Sequence, residues 1–276
     1  MDNKNSILLV DPEFDPNTAA NCDLLVKITP DNFSYAIIDK SSDQLKAIYD
    51  EQECNNISQT LAVRLKTDVY LNLTFKETKI AVHTGNTIDI PNELFDPQQL
   101  GQYTKFFTEE QSANLHTRPF NTFGFTSIFT LQQFTEEILA ASLSNYKLYA
   151  QNAPILALAR PNKQSTLLLD FTAAAFHAAY ITDEKLIFQH YYQTENAAEF
   201  NYYLLLIISQ LQLNTAYTEV QLSGIIHEGN KYYLSIEKYF KIIRFNLPPT
   251  KEADQKILDD MPAHYYSSLL ALDLCE

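Results

Sequence analysis

The alternation of hydrophobic and polar positions predicts short strands in the first quarter of the chain. Residues 24–28 alternate in this way, and residues 33–37 repeat the alternation after a Pro-Asp-Asn turn. Period-two alternation on both sides of a turn predicts a β-hairpin. Residues 45–51 predict a third strand and residues 69–75 a later one, while the preceding residues 1–22 are expected to be irregular. Between the last two strands, residues 56–66 carry apolar side chains at four-residue spacing, which predicts a helix.

The same order of elements recurs about 140 residues later. Segments 166–171, 174–181 and 184–192 predict three strands, a helix follows over 196–213, and residues 219–224 predict another strand. The helix carries its apolar side chains on one stripe, which is typical of a core-facing helix. Three strands, a helix and a strand, occurring twice, indicate an α/β protein with a duplicated ribonuclease-H-like fold. Each of the two similar halves is expected to hold a mixed five-stranded sheet flanked by helices.

The polar segment 159–165 predicts the boundary between halves 1–161 and 162–276. The first half has an insertion at about 78–129, where residues 79–91 predict a small hairpin around Gly85-Asn86. Within the insertion we also predict a helix over 96–107 and strands over 115–129, with Pro119 at an edge or bend. Further elements are predicted by similar patterns: helices at 131–143, 155–159 and 230–240, strands at 146–150 and 241–245, and a closing helix at 264–274.

The net charge and the cysteine content exclude several kinds of partner and of binding site. The chain has 34 acidic residues against 20 Lys plus Arg, a net charge of −14, which repels nucleic-acid phosphates and anionic lipid surfaces. Three scattered cysteines without CxxC spacing predict reduced thiols rather than a disulfide framework or a metal site. No stretch has the length of a signal-peptide core or a membrane span. We therefore expect a cytoplasmic protein with no nucleic-acid partner and no membrane insertion.

The candidate ligand-binding residues lie where two predicted strands end. Proteins that hold ATP between duplicated halves grip its phosphates with backbone N–H groups of glycine-rich turns, and a nearby Asp positions Mg²⁺. Asp170 and Thr172 follow one strand, and Ser223 and Gly224 end another. These four residues are the candidates for binding ATP with Mg²⁺. Alternatively, Asp170 is a strand-end carboxylate that caps a turn.

Several features indicate that such a nucleotide site is degraded. The chain has five glycines, where average usage of about 7% would give roughly 19. Pro30 removes a backbone donor from the first hairpin turn, and bulky Phe171 stands where nucleotide-binding proteins have glycine. No Walker lysine loop, GxSxG nucleophile or zinc-binding HExxH sequence occurs, so no catalytic residue and no metal ligand is predicted.

Longer segments resemble an uncharacterised bacterial family, domain of unknown function 3822. They are DIPNELFDPQQLGQYTKFF (89–107), the central run 167–205, LSGII (222–226) and HYYSSLLALDLCE (264–276). The resemblance covers nearly the whole chain. It implies an actin-like ATPase fold, similar in architecture to cytoplasmic proteins of pilus assembly and type II secretion, and it supplies no catalytic residues.

Two functions follow from this sequence. The first is a non-enzymatic, actin-like scaffold or protein-interaction module, a pseudo-ATPase that binds a protein partner and needs no cofactor. The second is an ATP-binding protein or slow ATPase that uses a non-standard site at Asp170, Thr172, Ser223 and Gly224. A sugar or acid kinase ranks third, because it needs the same phosphate loops and a catalytic base that the sequence does not identify.

Overall fold

A computed structural model describes residues 5–107, 114–159, 163–247 and 256–275 of the chain. It divides into two compact units, residues 1–153 and 154–276, which are described separately below. The boundary predicted between residues 161 and 162 falls outside the described residues and stays a prediction.

The main sheet of the first unit has six strands in the order β1-β4-β3-β2-β5-β9. The strands are β1 (Ser6–Val10), β2 (Cys22–Ile28), β3 (Phe33–Asp39), β4 (Gln44–Glu51), β5 (Glu77–Val82) and β9 (Tyr146–Ala150). β5 pairs in parallel with β2 and with β9, and the other pairs are antiparallel. Helices α1 (Ile57–Thr67) and α3 (Gln133–Ser142) pack Leu61, Leu65 and Leu139 into the hydrophobic core on one face of this sheet.

The insertion of the first unit forms a separate three-stranded antiparallel sheet in the order β6-β8-β7. Its strands are β6 (Thr87–Pro91), β7 (His116–Phe120) and β8 (Phe125–Phe129). Pro119 lies on the edge strand β7, as predicted. At an edge, its missing N–H does not interrupt the hydrogen bonding between strands. The short helix α2 (Leu100–Tyr103) lies between 3₁₀ turns at 97–99 and 104–106, and it confirms the helix predicted there.

Three predictions in the first unit are wrong. Residues 6–10 form β1 instead of an irregular lead-in, because β4 offers them a free edge. Residues 69–75 form turns rather than a strand, because the Asp68 carboxylate accepts the backbone N–H groups of Tyr70 at 2.8 Å and Leu71 at 3.2 Å. The hairpin around Gly85-Asn86 does not form, since β5 belongs to the main sheet and β6 pairs with β8.

The second unit contains a five-stranded sheet in the order β12-β11-β10-β13-β14, in which β10, β13 and β14 run parallel. The strands are β10 (Thr166–Phe171), β11 (Ala175–Thr182), β12 (Lys185–Gln193), β13 (Glu219–Gly224) and β14 (Ile242–Phe245). The helices are α5 (Ala197–Gln210), α6 (Lys231–Glu237) and α7 (Ser267–Ala271), and α4 (Asn152–Leu158) follows β9. These elements match the predicted order, including the closing helical segment at the end of the chain.

The two faces of the second sheet are covered by different elements. Leu167, Leu169 and Phe171 of β10 point into a core with side chains of α5 and α6. Alternate side chains of a strand point to opposite faces, so Leu168 and Asp170 belong to the other face. The C-terminal helical segment packs against β13. Helix α5 begins where predicted, because the Asn196 side chain accepts the backbone N–H groups of residues 198 and 199.

Candidate functional site

The predicted site residues of the second unit lie at the carboxyl ends of two adjacent parallel strands. In the register between β10 and β13, Asp170 lies opposite Ser223 and Phe171 opposite Gly224. The Ser223 hydroxyl donates a hydrogen bond of 2.8 Å to Oδ1 of Asp170. Asp170 is 5% exposed and Ser223 is 3% exposed. The structure therefore brings these residues together, and it holds the Asp170 carboxylate within the protein.

Gly224 is required by the packing of the two strands. Its φ is +78°, and a Cβ atom at this position would lie 2.0 Å from the carbonyl oxygen of Phe171. The next residue, Ile225, donates its backbone N–H to the same carbonyl at 2.9 Å. Only glycine combines a positive φ with so close an approach of two backbones. The glycine that the sequence offered as part of a ligand site thus has a structural role.

Thr172 lies in a turn whose hydrogen bonds close on themselves. Its backbone N–H donates to the carbonyl oxygen of Ala175 at 3.0 Å, and its hydroxyl donates to the same oxygen at 3.3 Å. The preceding Phe171 is buried, with its ring centroid 5.8 Å from that of Phe176 and 5.9 Å from that of Tyr232. Both groups of Thr172 that could hold a phosphate oxygen are therefore engaged within the turn.

Two buried histidines flank these strand ends, and sequence reasoning did not place either in the site. His177 of β11 lies opposite Asp170 in the register. His264 contacts the carbonyl oxygen of Ile226 through Nε2 at 2.6 Å, and its ring stacks on Phe245 with the centroids 4.0 Å apart. Burial lowers the pKa of His264 more than the contact with Ile226 raises it. The contact between His264 and Ile226 could not be predicted from a local sequence pattern, because the two residues are 38 positions apart.

The corresponding turn of the first unit, between β2 and β3, also has its donors engaged. Thr29 donates its N–H to the carbonyl oxygen of Asn32 at 2.9 Å and its hydroxyl to the Asp31 carboxylate at 2.8 Å. The side-chain amide of Asn32 donates to Oδ1 of Asp50 at 2.7 Å. Pro30 has no N–H to offer. Because the turn also carries a carboxylate, it is unsuited to binding a phosphate.

A pocket of about 160 Å³, which the sequence did not predict, opens beside this turn. It lies at the carboxyl ends of β2 and β5, which end at Ile28 and Val82, and the first turns of α1 and α3 complete its wall. Such strand ends are a common position for ligands in α/β proteins.

A wider groove of about 530 Å³ runs over the surface beside α1 and the start of α3. Its walls include Ala62, Val63 and Phe134, with Lys66 and Thr67 towards the end of α1. Val63 is 49% exposed and Phe134 is 54% exposed. Three apolar side chains therefore lie in this groove among polar ones, and Lys66 contributes its positive charge.

Neither a metal centre nor a membrane span is found in the described part of the chain. Within it, no three His, Cys, Asp or Glu side chains are grouped so that they could hold a metal ion. No described helix combines the length and the apolar character that crossing a bilayer requires.

The fold is that of the actin-like ATPases, as comparison with solved structures shows. A Bacteroides thetaiotaomicron protein with actin-like ATPase fold and unknown function superposes with a TM-score of 0.76 and 16% identity, over 95% of this chain and 99% of that one. The type IV pilus biogenesis complex PilM–PilN matches with a TM-score of 0.60 and 12% identity, over 91% and 97%. The ethanolamine utilization protein EutJ from Carboxydothermus hydrogenoformans matches with a TM-score of 0.53 and 8% identity, over 97% and 93%.

The sequence identifies the family within this fold. Residues 11–243 match the model of the family described as protein of unknown function DUF3822, and the chain belongs to that family. No curated protein matches the sequence. Both the fold and the family predicted from the sequence are thus confirmed.

Proposed function

We propose that this protein is a non-enzymatic, actin-like scaffold that binds a protein partner in the groove between α1 and α3. The observation that carries the proposal is the exposure of Phe134 and Val63, which both line that groove. A surface helix normally presents polar side chains to water. Contiguous apolar surface with a polar rim is typical of a protein-interaction site.

The charge at the groove indicates the chemistry of the partner. Lys66 lines the groove and makes no ion pair with any residue that the structure describes. It is a cation on a chain whose net charge is −14. The partner is therefore a protein segment that places apolar side chains on Val63 and Phe134 and a carboxylate beside Lys66.

The strand ends support a scaffold rather than an ATPase. The Ser223 hydroxyl donates a hydrogen bond to the Asp170 carboxylate, and the N–H and hydroxyl of Thr172 both donate to the carbonyl oxygen of Ala175. The first hairpin turn has a proline and a carboxylate where a phosphate cradle needs free N–H groups. These contacts support our proposal that the nucleotide site is degraded. The PilM–PilN complex is an example of a structure with this fold in which two proteins assemble.

Site-specific crosslinking tests the proposed groove. A photo-crosslinking amino acid replaces Val63 in the full chain, and the crosslinked partner is identified, purified and titrated against the unmodified protein. We expect Lys66→Glu and Phe134→Ser to weaken binding at least tenfold. Tyr217→Ser serves as the control, because Tyr217 is 72% exposed and lies in the other unit. Equal binding by all three variants would exclude the groove.

The second candidate, ATP binding, is favoured by the grouping of Asp170, Thr172, Ser223 and Gly224 at one sheet edge. A ligand at about 100 times its dissociation constant stabilises a protein by about 2.7 kcal/mol. Thermal unfolding with and without millimolar ATP and Mg²⁺ therefore distinguishes the two functions. The scaffold proposal expects no rise in the melting temperature. A rise that Asp170→Asn abolishes would establish the nucleotide site instead.

A further inference from the structure

The pocket of about 160 Å³ at the ends of β2 and β5 is lined without any carboxylate. This composition is notable in a chain with 34 Asp and Glu residues. Its polar lining consists of hydroxyl and amide side chains and His83, whose Nδ1 contacts Oε1 of Gln151. A carboxylate or phosphate oxygen entering this pocket meets no negative side chain in its wall.

Thr135 supplies a hydroxyl donor that is open to the pocket. The residue is 7% exposed and lines the pocket. Its hydroxyl makes no hydrogen bond to any residue in the described part of the chain. An acceptor that enters the pocket can therefore accept a hydrogen bond from this hydroxyl, and such a bond contributes about 0.5–1.5 kcal/mol, or more when the acceptor is charged.

The start of α3 supplies further donors at the same wall. Helix α3 has ten residues, and its N-cap residue, Gln132, makes no side-chain capping hydrogen bond. Gln132 and Thr135 both line the pocket. By contrast, Asn56 caps the neighbouring helix α1 by accepting the N–H of Gln59. The uncapped first turn of α3 therefore presents N–H groups and the positive end of the helix dipole to an anion.

Another part of the wall is apolar. Ile28, Ile57, Leu61 and Val82 lie at the ends of β2 and β5 and on the inner side of α1. A cavity of 150 Å³ lined by such side chains is large enough for benzene. The pocket thus combines an anion-binding wall with room for an alkyl group of about four to six carbons.

We propose that this pocket binds a small aliphatic carboxylic acid in its carboxylate form. The carboxylate oxygens accept hydrogen bonds from the Thr135 hydroxyl and from the first-turn N–H groups of α3. The alkyl chain packs against Ile28, Leu61 and Val82. An inorganic phosphate satisfies only the first of these two requirements, because it leaves the apolar wall unfilled.

A series of sodium carboxylates at constant ionic strength tests this ligand class. Acetate, butyrate, 3-methylbutyrate and hexanoate are titrated into the full chain by calorimetry. We expect affinity to rise about fourfold for each buried methylene, up to the length that fills the pocket, since each contributes about 0.8 kcal/mol. 3-Methylbutyramide, which has the same shape without the charge, should bind at least tenfold more weakly than its acid.

Two threonine variants locate the binding site. Thr135→Val removes the hydroxyl and keeps the shape, and we expect it to weaken 3-methylbutyrate binding about tenfold or more. The matched control is Thr218→Val in the second unit, where the same change removes a buried hydroxyl that lacks a hydrogen-bond partner among the described residues. Thermal unfolding without ligand verifies that both variants fold. Methyl NMR shifts of Ile28 and Val82, but not of Ile207, should follow the titration.

Four results would overturn the proposal. They are no binding by any acid, equal binding by the amide, an unchanged affinity in Thr135→Val, and phosphate binding that matches or exceeds that of the acids. Tighter binding of N-acetyl-leucine than of 3-methylbutyrate would assign the pocket to a peptide C-terminus instead. Lys66→Glu should leave acid binding unchanged, because Lys66 lines the proposed partner groove and not this pocket, so the two proposals can fail separately.

Discussion

The hydroxyl of Ser223 donates to the carboxylate of Asp170 at 2.8 Å, across two parallel strands and 53 residues of sequence. The bond satisfies a carboxylate oxygen that lies in the interior of the second unit. It also gives the predicted site a definite physical role, because it links the ends of β10 and β13. A residue that the sequence offers as a ligand for magnesium is thus part of the scaffold of the sheet.

Ser223→Ala should therefore destabilise the protein. The substitution removes a donor from a buried carboxylate, and we expect the free energy of unfolding to fall by about 1–3 kcal/mol. Urea denaturation measures the change. In a double-mutant cycle with Asp170→Ala, the two losses should be less than additive, since either variant alone breaks the same hydrogen bond. Strict additivity would show that the two side chains do not stabilise each other.

Three glycines offer a graded test of backbone strain. Gly224→Ala should be the most destabilising, by about 3 kcal/mol or more, because the new Cβ would meet the carbonyl of Phe171 at 2.0 Å. Gly124 has a φ of +72° with no atom within 4 Å of an added Cβ, so Gly124→Ala should cost only about 1 kcal/mol. Gly101→Ala, in helix α2 with open space around it, should be neutral or slightly stabilising. Chemical denaturation of the three variants should reproduce this order, and a Gly224→Ala protein as stable as Gly124→Ala would contradict the close approach.

The order of elements in this fold could be predicted because each strand and helix carries its own period. The second unit matches the prediction throughout, since its strands are bounded by clear turns and α5 has a capping Asn196. The first unit differs from the prediction where the structure of a segment depends on the residues that it pairs with. β1 is a strand only because the edge of β4 is there to pair with it, and 69–75 is not one because Asp68 holds the backbone in a turn.

The candidate sites also differ in whether the sequence predicts them. Asp170, Thr172, Ser223 and Gly224 could be grouped in advance, because parallel strands bring their carboxyl ends to one sheet edge. The pocket beside Thr135 and the groove beside Phe134 could not be predicted. Both depend on how closely α1 approaches the start of α3, and that distance is set by core packing around Leu61 and Leu139. No periodicity along the chain encodes such a distance.

Two of the thiols should react slowly in the folded protein. Burial raises the pKa of Cys22 to about 11 and that of Cys54 to about 11, so little thiolate forms at pH 8. Labelling with a chromogenic disulfide reagent at pH 8 should modify these two residues far more slowly than in urea. Peptide mapping by mass spectrometry assigns the rates to individual cysteines. Native labelling of Cys22 at the rate of a free thiol would contradict its burial.

Stability should depend on pH through His264. Burial lowers the pKa of this histidine in the folded protein, whereas in the unfolded chain it titrates near 6.5. Below that pH the unfolded state binds the proton and the folded state resists it, so the free energy of unfolding falls as the pH drops from about 7 to 5. Burial also lowers the pKa of His190, so removing one histidine should reduce this pH dependence without abolishing it.

Comparing variants isolates the contribution of His264 from that of the carboxylates. His264→Gln retains a side-chain N–H that can donate to the carbonyl of Ile226, but it loses the stacking on Phe245. We expect it to be less stable than the unmodified protein at pH 8 and to lose less stability on acidification to pH 5. His227→Gln is the comparison, because His227 is exposed and its charge makes a smaller contribution than burial to the lowered pKa of His264; it should change the pH dependence less than His264→Gln does. Urea denaturation at several pH values measures all three proteins. Parallel stability curves for His264→Gln and the unmodified protein would show that His264 does not carry the pH dependence.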